Sequence, residues 1–189
     1  MPLVITVPAA ELFDESSSRF LYTPTTVLTL EHSLISLSKW ESKWHKPYLR
    51  QSVMTEEAQK KSSAEERDYI RCMTITGNVD PNVYRVLDRK DLEVIAGYIN
   101  DPMTATTIHK INKKPNREIV TNELIYYWMT SLNIPFDPCE RWHLNHLLSL
   151  IEVCALKQEP PEKMPNAAAL SRSHSINAAR RAAHANRRR

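Results

Sequence analysis

LEHSLISLSKWESKWHKPYL, Leu30 to Leu49, decides the fold class, because two tryptophans four residues apart extend a leucine stripe at helical spacing. Wound at about 100° per residue, Leu30, Leu34, Leu37, Trp40 and Trp44 fall inside an arc of roughly 120°, the width of a core-facing face. Ser36, Lys39, Ser42, Lys43 and Lys46 fall outside it. With Thr29 as N-cap, Glu31 in the positive first turn and Pro47 as a stop, the pattern predicts a helix from about Leu30 to Lys46. Trp44 lies near the centre of the stripe and is expected to be buried. Periodicity leaves two readings open: both rings fill the core, or one lies at an interface, and Trp40, at the stripe's edge beside Glu41 and His45, is then the candidate contact.

Working outward, LVITV (Leu3 to Val7), FLYT (Phe20 to Thr23) and TVLTL (Thr26 to Leu30) are extended candidates, separated by DESSS and Pro24. They predict a small β-hairpin or sheet layer before the first helix. Downstream, Ala64 to Ile75 offers Tyr69, Ile70 and Met73 on one side. Asp80 followed by Pro81 starts a short helix to about Leu87, and KDLEVIAGYI places Leu92, Ile95, Ala96 and Ile99 at helical spacing before Asp101 and Pro102. Residues 101–117 show no period and read as a long exposed loop. Glu118 to Leu132 is the next helix. Asp137, Pro138 and Glu140 then form a cap, N1 and N3 arrangement for a helix ending near Lys157. The fold class expected is mainly α, with an N-terminal β layer followed by a bundle of about five to six helices and a basic C-terminal tail.

The 189 residues suffice for one domain, expected at residues 1–159, with residues 160–189 as an Ala/Arg-rich tail, flexible or conditionally helical. The net charge of +3 hides a division: the tail holds seven Lys/Arg and one acid, or +6, leaving 18 bases and 21 acids, or −3, for the body. Only Gly77 and Gly97 occur, so neither GxGxxG nor GxxxxGK[ST] can be written. No basic-then-apolar leader is legible and no apolar run approaches ~20 residues, which together read as a soluble intracellular chain without membrane contact. Cys72, Cys139 and Cys154 are odd in number and widely spaced, poor material for a disulfide framework.

Cys139, His143 and His146 share a helical face at spacings that can start a zinc site, but no fourth ligand is visible, and ordinary hydrogen-bonding or packing roles are expected instead. No metal or other cofactor is expected. Thiols, hydroxyls and histidines are present without a nucleophile signature such as GxSxG, which makes an enzyme the weakest class. The candidate partner contacts are Trp40, Glu41, His45 and Trp142. The basic tail is either a solvated, solubilising extension or an electrostatic contact to nucleic acid or an acidic protein face, for which Arg180, Arg181, Arg187, Arg188 and Arg189 are the candidates.

LEHSLISLSKWESKWHKPYL, DYIRCMTI with NVDPNVY, ELIYYWM with LNIPF, WHLNHLLSLIEVC and the ending PPEKM with SRSHSINAARR together resemble a family of tail-module proteins from long-tailed bacteriophages. The resemblance runs along almost the whole chain and is weakest at residues 51–63 and 101–117. It implies a non-catalytic tail assembly chaperone, encoded beside the tape-measure protein and working in the host cell cytoplasm. Such a factor would coat the long helical tape-measure protein, keep it soluble and bring tail-tube subunits to it. Self-association is compatible with that role. Two other roles fit the residues: a structural head–tail component retained in the virion, and a nucleic-acid-binding packaging factor that uses the basic tail.

Overall fold

A computed structural model describes residues 1–14, 18–49, 61–107, 118–158, His174 and Asn177. Four strands open the chain: β1 Leu3–Val7, β2 Ala10–Asp14, β3 Arg19–Thr23 and β4 Thr26–Leu30. β1 pairs with β4 and β2 with β3, both antiparallel. The two ladders keep one register from Leu3↔Leu30 to Asp14↔Arg19, with two residues skipped on each strand. Those skipped residues are Pro8 with Ala9 and Pro24 with Thr25. Proline has no N–H to give to a ladder, so a single long hairpin ribbon is cut into two. Residues 74 to 76 then lie along β4, with the Ile75 N–H donating to the Thr29 carbonyl and the Glu31 N–H to the Met73 carbonyl.

Among the described residues six α-helices follow: α1 Leu34–Trp44, α2 Ser63–Met73, α3 Arg89–Asn100, α4 Asn122–Ser131, the single turn α5 Phe136–Cys139, and α6 Leu144–Gln158. A 3-10 turn, Pro81–Arg85, lies between α2 and α3 and is capped by Asp80 with Pro81 at its start, as its sequence predicts. Ser62 with Glu65 and Asp88 with Asp91 form reciprocal capping boxes that fix the starts of α2 and α3. The chain divides into two units, Met1–Ala155 and Leu156–Arg189. Of the second, the described residues are the end of α6, 156–158, and the helical residues His174 and Asn177.

Several sequence expectations need correction. β2 was not expected: AELFD carries two acids, and its strand character comes from pairing with β3 rather than from propensity. α1 begins at Leu34, not Leu30, because Leu30 is held in β4 and Ser33 supplies the N-cap, its hydroxyl accepting the Ser36 N–H. The helix expected from Asp137 begins at Leu144. Asp137 has extended backbone angles and the Asp137–Pro138 peptide is cis. The Leu144 N–H donates to the His32 carbonyl at 2.6 Å, which starts α6 from another part of the chain.

The tryptophan assignment is reversed. Trp40 is fully buried, and its indole N–H donates to the Glu65 carbonyl at 3.0 Å. Trp44 is only half-buried, donating to the Asp68 carboxylate at 2.8 Å. A single stripe implies one core, whereas α1 feeds two. Leu34 and Leu37 pack with Ile125, Met129, Leu144 and Leu147 from α4 and α6. Trp40 packs with Leu28, Leu30, Tyr69 and Met73 from the sheet and α2. A helix between two cores buries a wider arc than 120°, so the edge position is enclosed. Trp44, near the arc's centre, falls in the last residue of the helix, where the enclosure ends.

Trp40→Ala should therefore cost about 3 to 5 kcal/mol and Trp44→Ala about 1 to 2 kcal/mol in urea unfolding. Greater damage from the Trp44 change would contradict the two-core account.

Candidate functional site

A cleft of about 590 Å³ lies between α2 and α3. Its apolar wall comes from Ile70 of α2 and from Leu92, Ala96 and Ile99 of α3, the latter spaced i, i+4 and i+7 on one helical face. Tyr48 and Leu49, following α1, close one side, and His32 with Tyr69 lie at the base. The rim is charged: Glu66, and the Arg89–Glu93 pair at 2.8 Å, one turn apart on α3. Ala96 is exposed, while Leu92 and Ile99 are half-buried. An apolar floor with a polar rim is the form of a groove that takes an amphipathic helix or a run of apolar side chains.

The base of the cleft is held by neutral histidines. His32 is buried, its Nδ1 2.6 Å from the Tyr69 hydroxyl, and burial brings its pKa down to about 3. The His143 ring lies edge-on to it at 5.1 Å between centroids. Nδ1 of His143 accepts the Asn145 N–H, so the proton is on Nε2, which donates to the Tyr98 carbonyl at 3.1 Å. Burial lowers the pKa of this ring as well. The Asn145 side chain donates to the carbonyls of Ile99 and Asp101, so His143 and Asn145 together satisfy the carbonyl end of α3. The Tyr98 hydroxyl donates to Glu31 at 2.6 Å and fastens α3 to the end of the ribbon.

A second hollow, about 350 Å³, is lined by Glu41, Ser42, His45, Lys46, Pro47, Thr121 and Glu123. It brings together two of the sequence's candidate contacts, Glu41 and His45. Glu41 is buried, however, and its carboxylate is occupied, accepting the N–H groups of Tyr48 and Asn122, each at 2.8 Å. Burial pushes its pKa up. Thr121, the N-cap position of α4, makes no side-chain cap bond, and Glu41 caps that helix from α1 instead. His45 is exposed and ends α1 in the left-handed conformation, its N–H donating to the Glu41 carbonyl. Trp142 is half-buried, edge-on to His146 at 5.2 Å, and lines neither hollow. The expected contact surface of Trp40, Glu41, His45 and Trp142 is thus corrected: Trp40 and Glu41 face inward. Arg180, Arg181, Arg187, Arg188 and Arg189 lie outside the described residues.

The Cys139, His143 and His146 trio does not converge. Cys139 packs with Leu34 and Leu37 in the second core, His143 bonds to Tyr98, and His146 Nδ1 lies 3.0 Å from the Met103 carbonyl. Among the described residues no group of three His, Cys, Asp or Glu is placed to hold a metal. Burial raises the pKa of the Cys72 and Cys139 thiols, which favours the less nucleophilic protonated form. No helix of the described residues is long and apolar enough to cross a membrane.

The α3 stripe of Leu92, Ile95, Ala96 and Ile99 was legible in the sequence, but its division was not: Ile95 is buried in the core while Ala96 stays exposed. No protein-family model, curated protein or solved structure matches the chain.

The histidines make the fold acid-sensitive in a definite direction. Between pH 6.5 and about 3 the unfolded chain binds the His32 proton and the folded chain does not, so the stability that depends on neutral His32 is complete above about pH 7 and falls as pH drops. One unmatched proton gives a slope of about 1.4 kcal/mol per pH unit. His32→Gln should flatten the profile by up to that amount between pH 6 and pH 4 in denaturant titrations. An unchanged slope would place His32 in a solvated, freely titrating state.

Proposed function

We propose that the chain is a non-catalytic tail assembly chaperone of a long-tailed bacteriophage. It binds the tape-measure protein and helps to recruit tail-tube subunits during tail morphogenesis in the host cytoplasm. The observation that carries this reading is the apolar cleft between α2 and α3, rimmed by Glu66, Arg89 and Glu93. A chaperone of a long helical client needs a groove that covers apolar side chains without demanding one sequence. Leu92, Ala96 and Ile99 supply such a surface by burial alone. The small Ala96 lets a client backbone approach α3 closely, and the Arg89–Glu93 pair offers charges of both signs at the rim. The sequence resemblance to tail-module proteins supports the same role.

Co-expression of a tagged chain with the tape-measure protein tests it. The two should co-purify, with more of the tape-measure protein soluble than when it is expressed alone. Ala96→Arg, at an exposed helical position, should change stability by about 0.5 kcal/mol or less. It should lower recovery of the tape-measure protein tenfold or more by filling the cleft. No enrichment by the unaltered chain would contradict the reading. Stoichiometric presence of the chain in purified virions would favour a structural head–tail component instead.

A further inference from the structure

We infer that the far half of the ribbon, β2 with β3, is a second docking surface, which takes an amphipathic segment of a partner protein with an apolar row flanked by Lys or Arg. Along β1 and β4 the buried positions are Ile5, Val7, Leu28 and Leu30, and the exposed ones include Val4 and Val27. Beyond the prolines the phase slips by one residue on both strands. Phe13, Phe20 and Tyr22, which would share the buried face of an uninterrupted pleat, are 52%, 73% and 65% exposed. Phe13 and Phe20 are cross-strand partners with ring centroids 5.2 Å apart, and Tyr22 stands opposite Glu11. Three aromatic side chains on the bare face of a two-stranded ribbon are unusual, because solvent-facing sheet positions are normally polar and a lone hairpin is marginal in water.

Area and charge choose the occupant. If each ring offers ~200 Å² when bare, the three leave about 400 Å² uncovered. A stable protein pair needs about 800 Å² per partner, so two copies of this chain stacked on this face alone would not hold together. A single helix or strand fits that area. From Leu3 to Leu30 the chain carries Glu11, Asp14 and Glu15 against Arg19 alone, and Glu11 lies on the aromatic face, so the complementary segment is basic. This inference goes beyond the chaperone reading and does not depend on what occupies the cleft.

The test is to titrate the full chain into two labelled amphipathic helical peptides of equal length, one of Leu and Lys, the other of Leu and Glu, following polarisation. The Leu/Lys peptide should bind at least tenfold more tightly. Phe13→Ser combined with Phe20→Ser should weaken it tenfold or more, and Glu11→Lys severalfold, while Ala96→Arg in the cleft changes it less than twofold. Equal affinity for the two peptides would overturn the proposal, as would indifference to both sets of ribbon substitutions or a loss caused by Ala96→Arg alone. A dimer in sedimentation that Phe13→Ser with Phe20→Ser dissociates would also overturn it, assigning the face to a second copy. Should the double variant fail to fold, Glu11→Lys decides alone.

Discussion

The carboxylate of Glu41, taken out of water and held by the N–H groups of Tyr48 and Asn122, links the parts on which the rest of the structure depends. A buried carboxylate is costly unless its lone pairs are satisfied, so both donors must be in place together. One donor starts α4 against α1. The other fixes the turn after α1 so that Tyr48 stacks on Tyr69 at 3.6 Å. Both rings line the cleft, and thus part of the geometry of the candidate binding surface follows from an acid in the last turn of α1. Lys46, paired with Glu65 and lying over both tryptophan rings, holds the same turn against α2.

Much of the fold was legible because its signals are local. Pro81 after Asp80, the apolar spacing in α3 and the β-branched runs of β1 and β4 each depend on a few adjacent residues. What was not legible depends on distant partners. β2 is a strand because β3 lies beside it. α1 starts late because β4 claims Leu30, and α6 starts late because the His32 carbonyl receives the Leu144 N–H. Trp40 and Trp44 show the limit most clearly: helical angle ranks positions around an axis, but enclosure also depends on how far along that axis the neighbouring elements extend.

The candidate site divides in the same way. Of the residues suited to contact by type, Glu41 serves as an internal cap and Trp40 as core, while Ala96 of α3 and Phe13, Phe20 and Tyr22 of the ribbon are among the apolar side chains that stay exposed. Sequence periodicity marks both faces of α3 as ordinary helix. Only the arrangement of α2 beside it turns Leu92, Ala96 and Ile99 into the wall of a cleft. On the proposed reading the site is a shape rather than a set of reactive groups, and a shape leaves no short motif in the sequence.

The most direct measurement is hydrogen exchange of the full chain, alone and in complex with co-expressed tape-measure protein. The account predicts added protection concentrated in α2 and α3, over Glu66 to Ile70 and Arg89 to Asn100, where the cleft is covered. Protection confined to other segments, with these two helices exchanging as in the free chain, would contradict it.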